Sequence, residues 1–261
     1  MESIVITVTS GKGGVGKTTS TANIGCALAL LGRKVCITDG DIGLRNLDIV
    51  MGLENRIVYD SVDVIEGRCK LRQALIRDKR VDELFLLPAA QTRDKSAMNA
   101  QQMTALCDQL REQFEFILID SPAGIEQGFH TSLAPADKVL VVTNPEVSSV
   151  RDADRVIGLV ESAGKGPAQL VINRIVAARV ARKDMLSVED IMEVLTSNVI
   201  GIVPEDEEIL SSSNRGSPVA ISGKGAAAIA YREIARRLNG ENLPVQMPRS
   251  GNILQRLFGR A

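Results

Sequence analysis

Gly11-Lys12-Gly13-Gly14-Val15-Gly16-Lys17-Thr18 spells G-x-x-x-x-G-K-T. Glycines at this spacing let the backbone bend around a phosphate with its N–H groups turned inward. A helix starting at the end of the loop adds the positive end of its dipole. Lys17 is the cation for the β- and γ-phosphates of a nucleotide, and the Thr18 hydroxyl reaches Mg²⁺. Gly11, Lys12, Gly13, Gly14, Val15, Gly16, Lys17, Thr18 and the following Thr19 are therefore the candidate nucleotide-binding residues. Asp120 ends an apolar run and opens Asp-Ser-Pro-Ala-Gly (120–124). A carboxylate there can hold Mg²⁺ through water, and Gly124 leaves room for backbone beside the γ-phosphate. Asp39 and Asp41 follow another apolar run. One can join the ion's shell and the other can orient the attacking water; residue types alone do not divide the roles.

The elements that position these residues are legible as alternating runs. Ile4–Thr9 (IVITVT) predicts a buried strand directly before the glycine loop. Residues 17–31 predict a helix with Ile24, Ala27, Leu28 and Leu31 on one face and a stop at Gly32. Further strands are expected at 35–38, Leu84–Leu87, 116–119, Lys138–Thr143, 169–172 and 200–203. Helices are expected at 97–113, 147–163, 187–195 and Ala226–Leu238. Strands apolar on both sides and separated by helices predict an α/β fold: a mostly parallel sheet covered by helices on both faces. Strand ends on one edge of such a sheet converge on one crevice.

The chain has 261 residues, enough for one or two domains at about 150 each. No composition break precedes residue 239, so 1–238 reads as a single α/β domain built around the phosphate loop. Residues 239–251, with Pro244, Pro248 and Gly251, read as a flexible tether. Residues 252–261 form a separate tail. A formal net charge of −1 argues against a globally basic nucleic-acid coat. Aromatics at 3%, with no Trp, argue against base-stacking platforms. Cys26, Cys36, Cys69 and Cys107 lack C-x-x-C spacing, and His130 is the one histidine, so a zinc site is not expected and the thiols read as reduced. No leader and no apolar run near the ~20 residues of a spanning helix is seen, which predicts a cytoplasmic protein unless something anchors it.

Lys12 is the unusual residue of the loop. Lys-Gly-Gly-Val-Gly-Lys-Thr resembles the deviant Walker A motif of the partition, septum-site and nitrogenase iron-protein ATPases. Asp-Gly-Asp-Ile-Gly-Leu-Arg-Asn-Leu-Asp (39–48), Leu-Pro-Ala-Ala-Gln-Thr-Arg-Asp-Lys (87–95), Asp-Ser-Pro-Ala-Gly-Ile-Glu (120–126) and Thr-Asn-Pro-Glu-Val-Ser-Ser-Val-Arg-Asp-Ala-Asp-Arg (143–155) are similar to segments of the MinD-type septum-site-determining ATPases. The likeness extends over nearly the whole chain. It implies an ATP-bound homodimer in which Lys12 reaches the partner's nucleotide. Such a charge is worth on the order of 10³–10⁵ in rate when an arginine supplies it to a GTPase. The same likeness makes Lys12, Lys17 and Asp41 catalytic. It puts Thr18, Asp39 and Asp120 around Mg²⁺, sets Asn173 at the adenine edge, and closes the loop at Pro204 over the base. An Asn amide, with donor and acceptor, suits adenine.

The tail carries Ile253, Leu254, Leu257 and Phe258 on one helical arc, with Arg256 and Arg260 beside it and Arg249 upstream. That composition suits an interfacial helix on anionic lipid, and the family has a membrane-targeting helix at this place. Three arginines contribute roughly 3 kcal/mol and four half-buried apolar side chains about 4 kcal/mol. Ordering the helix costs several kcal/mol back, so one tail binds with a Kd near about 1 mM. Two tails on a dimer are needed to hold the protein down. The expected location is the cytoplasmic face of the inner membrane.

In the helix from Val147, Val150, Ala153, Ile157 and Val160 can face the core while Arg151, Asp152, Asp154 and Arg155 point outward. Their charges alone suggest a solvated face laced with weak ion pairs. The resemblance makes Arg151, Asp152 and Asp154 part of the surface met by the division inhibitor MinC and by MinE or another topological regulator. Three rivals share the superfamily. A DNA-partition ATPase would need a basic surface, and DNA is not expected as a partner here. A flagellar-number regulator would carry an N-terminal extension. An iron-protein electron carrier would need paired cysteines beside the nucleotide.

Overall fold

The computed structural model describes residues 3–246. Its first half runs β1 (Ile4–Thr9), α1 (Lys17–Leu30), β2 (Val35–Asp39), α2 (Leu47–Met51), α3 (Ser61–Ile65), α4 (Leu71–Ala74), β3 (Ile76–Arg77), β4 (Leu84–Leu87), α5 (Ala100–Arg111) and β5 (Phe116–Asp120). The second half runs α6 (Gln127–Leu133), β6 (Lys138–Thr143), α7 (Val147–Ser162), β7 (Gln169–Ile175), α8 (Ala177–Ala181), α9 (Val188–Val194), β8 (Asn198–Pro204), α10 (Glu207–Asn214), α11 (Val219–Ser222) and α12 (Ala226–Leu238). The strand order is β3-β4-β2-β5-β1-β6-β7-β8. The pairs are parallel except β3 with β4.

Alternation along each strand divides the core between the two faces. Ile6, Val8, Ile37, Leu118, Leu140 and Val171 pack under α1, α2, α11 and α12. On the other face Val5, Ile117 and Ile119 meet α5, and Val139, Val141, Leu170 and Ile172 meet α6, α7 and α9. The expected sheet with helices on both faces is therefore what forms.

α1 departs from the one-sided stripe that its sequence suggests. It is buried continuously from Ser20 to Ala29, because α11 and α12 pack against it in addition to the sheet. Small residues allow this: a side chain on Gly25 would strike Ile37. Leu31, expected on the buried face, is instead outside the helix and exposed. Helix α5 begins three residues later than expected, where Asn99 accepts from Gln102 N–H and Gln102 returns the bond. Residues 239–246, expected as part of a loose tether, are held to the body. Arg237 donates to Leu243 O at 2.9 Å and Pro244 O at 2.7 Å, and Val245 packs against the core. The expected membrane residues Ile253, Leu254, Arg256, Leu257 and Phe258 lie outside the described residues.

Candidate functional site

The C-terminal ends of β1, β2, β5, β7 and β8 bring the candidate residues to one edge of the sheet. The glycine loop spans from β1 to α1, with Gly14 and Gly16 at φ 79° and 96°, where a side chain is disfavoured. Two of its glycines are fixed by close packing as well. A side chain on Gly16 would strike the Asn173 amide, and one on Gly11 would strike the backbone of Asp152 in α7.

Lys17, Thr18 and Asp120 interlock. Lys17 Nζ lies 3.4 Å from Asp120 Oδ1, Thr18 Oγ1 donates to Asp120 Oδ2 at 2.6 Å, and Thr21 Oγ1 donates to Asp120 Oδ1 at 3.2 Å. Thr21 is a residue that motif reading passed over; it stands one helical turn after Lys17, on the same face. Asp39 is the register partner of Asp120 across β2 and β5. It accepts from Asp41 N at 2.9 Å, Asn46 N at 3.0 Å and Leu47 N at 3.1 Å. Burial, and then the neighbouring charge of Asp120, push Asp39 up to about 7. Burial also raises Asp120, against the opposing pull of Lys17.

Two buried carboxylates side by side, with a hydroxyl between α1 and β5, form a hard-oxygen donor set. It fits Mg²⁺, which dehydrates reluctantly and takes its remaining ligands from water and phosphate. Both oxygens of Asp120 are already engaged by its own chain, so contact through water suits this carboxylate. Asp41 Oδ1 is buried with no hydrogen-bond partner among the described residues. An acceptor without a protein partner can take a bond from water.

Lys12 is half exposed and lies over its own α7, 3.3 Å from Ser148 Oγ and 3.7 Å from Glu146 Oε2. Asn173 falls within β7, which continues through a bulge to Ile175 rather than stopping at 172. Its Nδ2 donates to Val15 O at 2.7 Å, while Oδ1 is buried and unpartnered among the described residues. One amide hydrogen and the carbonyl oxygen thus remain for a ligand. Pro204 pairs with Ile175 at the end of β8, and Asp206 caps α10 just beyond it. On α7, Val150, Ala153, Ile157 and Val160 are buried as expected. Arg151, Asp154 and Arg155 are exposed and Asp152 is half-buried. None of the four enters an ion pair among the described residues, so the expected lacing is absent and these charges are open. The thiols of Cys26, Cys36 and Cys107 are buried, and burial pushes them up, away from reactive thiolate.

Residues 6–219 match the family model for the CobQ/CobB/MinD/ParA nucleotide binding domain. The chain is 53% identical to the septum site-determining protein MinD of Bacillus subtilis (strain 168) over 93% of this chain and 91% of that protein. Among solved structures it resembles the MinC:MinD cell division protein complex of Aquifex aeolicus. The TM-score is 0.87 at 50% identity, covering 94% of this chain and 98% of the other. It also resembles the septum site-determining protein MinD from Pyrococcus horikoshii complexed with Mg-ADP. There the TM-score is 0.82 at 29% identity, covering 91% and 96%.

Proposed function

The chain belongs to the MinD family of septum site-determining proteins, within the CobQ/CobB/MinD/ParA nucleotide-binding family, and from that premise we propose that it is an ATP-driven membrane switch. Its role is placing the cell-division site. The observation that carries the nucleotide part is the interlock of Lys17, Thr18 and Asp120 at the glycine loop, one strand from Asp39.

Gly11 to Thr19 wrap the phosphates, and Lys17 turns from Asp120 to the β- and γ-oxygens. Thr18, Asp39 and Asp120 hold Mg²⁺, which when bound neutralises phosphate charge. Asp41 orients water for attack on the γ-phosphate, and Asn173 with the loop at Pro204 holds adenine. Hydrolysis is slow in the isolated protein. Lys12 completes the site of a second copy, as a cation delivered in trans. Support for a dimer on this edge comes from Leu44, Ile125 and Val147. These exposed apolar residues follow β2, β5 and β6 around the glycine loop, and apolar side chains on a site's rim suit a protein partner.

The ATP-bound pair presents two tails to anionic lipid on the cytoplasmic face of the inner membrane. It recruits MinC through the exposed charges of α7, as a MinC:MinD complex exists for the Aquifex aeolicus relative. MinE or another topological regulator then speeds hydrolysis and releases the monomers. Among the described residues no helix is long and apolar enough to cross a membrane. The dimer is tested by light scattering with Mg-ATP and Mg-ADP. The mass should double with ATP alone, and Lys12→Ala should dimerise yet hydrolyse poorly. A monomer in both nucleotides would overturn the reading.

A further inference from the structure

Residues 87–95 are distinctive in sequence and have no part in the chemistry above. Strands β2 and β4 leave the sheet side by side, with Thr38 opposite Leu87. The backbone after β4 then runs along the loop that carries Asp41. Gly43 N–H donates to Ala90 O at 2.9 Å. Arg93 O stands 3.2 Å from the place that a Gly43 side chain would take. Ile42 is buried in one cluster with Leu87, Ala89, Ala90 and Met98. The segment is itself anchored, since Ser61 N–H donates to Pro88 O at 2.9 Å at the start of α3, where Asp60 and Asp63 close the helix end. At its other end the loop is tied by the Asn46 and Leu47 amides on Asp39. The side chains of residues 91–94 are exposed, so the segment acts on the loop through its backbone carbonyls and the buried Ala89 and Ala90.

We propose that residues 88–93 are a brace that sets the working geometry of Asp41 and Asp39, with Ala90 and Gly43 as positioning residues for hydrolysis. The proposal rests on the ATPase reading of the same site. A loop held at both ends and at its middle fixes Asp41 beside Asp39, to whose Oδ1 its N–H donates at 2.9 Å. Small displacements there are costly, because misplacing a group by about 1 Å can cost on the order of 10²-fold in rate.

Two variants shift the loop by different routes. Ala90→Val overfills a position that is 1% exposed. Gly43→Ala puts a methyl group against Arg93 O at φ 95°. In each, kcat for ATP hydrolysis should fall by about tenfold or more. The Mg²⁺ concentration that half-saturates binding of a fluorescent ATP analogue should rise several-fold. Binding of the analogue without Mg²⁺ should stay nearly unchanged. Leu71→Ala, in the same core cluster but on α4, should lower Tm and leave kcat and the Mg²⁺ response alone. If Ala90→Val does not fold, Gly43→Ala decides. Wild-type kcat and Mg²⁺ response in a folded variant would overturn the brace. Absence of hydrolysis in the unmutated protein would overturn the ATPase reading instead, and the Mg²⁺ response of analogue binding would still decide the brace.

Discussion

Gly11 of the glycine loop lies directly against the backbone of Asp152 in α7, with no room for a side chain between them. The phosphate site and the helix with the open surface charges are therefore one packed unit. Lys12, the next residue, touches the start of the same helix. The loop and α7 are thus in direct contact, with no element between them.

Gly11→Ala forces the loop and α7 apart. Overpacking of this kind costs about 1–3 kcal/mol, so Tm should drop by several degrees. Nucleotide affinity should fall with it, read by titration with a fluorescent ATP analogue. Unchanged affinity and Tm would mean that α7 moves freely from the loop.

The coupled carboxylates predict a pH dependence with a definite sign. Asp39 sits at about 7 in the folded protein against 3.8 for an ordinary Asp. Between these values the folded state keeps a proton that the unfolded state gives up. Stability of the metal-free protein contributed by this group therefore falls as pH rises from about 4 to about 7. Mg²⁺ with ADP favours the charged form. Urea unfolding with EDTA and with Mg-ADP should give curves whose difference widens from pH 5 to pH 7. A constant difference would contradict the metal assignment.

Asp120→Asn removes the charge that faces Lys17 and Thr18 while keeping the shape. Hydrolysis should fall on the order of 10²-fold or more. Mg²⁺ should no longer tighten nucleotide binding in isothermal titration. Retention of the Mg²⁺ effect would leave the ion to Thr18 and Asp39.

Much of this site is legible in the residues. Gly11 to Thr18 between a β-branched run and a helix spells out the phosphate loop, and Asp39 and Asp120 mark strand ends that must share an edge. The sheet follows from runs such as IVITVT. What escapes is work done by backbone groups. The acceptors Ala90 O, Pro88 O and Val15 O belong to residues of no special type, so nothing in the sequence announces the brace or the bond from Asn173. Helices α2, α3, α4, α8 and α11 are too short for a helical period to show. Residues 239–251 read as a tether because Pro244, Pro248 and Gly251 suggest one, while the donors that pin residues 243 and 244 sit on Arg237.

Asp154→Lys should weaken binding of MinC by about tenfold or more, because a charge is reversed on an exposed face. Nucleotide binding should be unaffected, since the Asp154 side chain touches none of the phosphate-site residues named above. Surface-immobilised MinC reads the first, and analogue titration reads the second. Equal loss of both would make Asp154 a structural residue.

The central claim, that ATP drives this protein onto the membrane through its tail, is tested most directly by sedimentation with anionic liposomes. The samples are full-length protein with Mg-ATP, full-length protein with Mg-ADP, and protein lacking residues 249–261 with Mg-ATP. The account predicts that the full-length ATP form alone pellets. Equal pelleting with ADP, or no pelleting in any state while the ATP form retards duplex DNA, would contradict it.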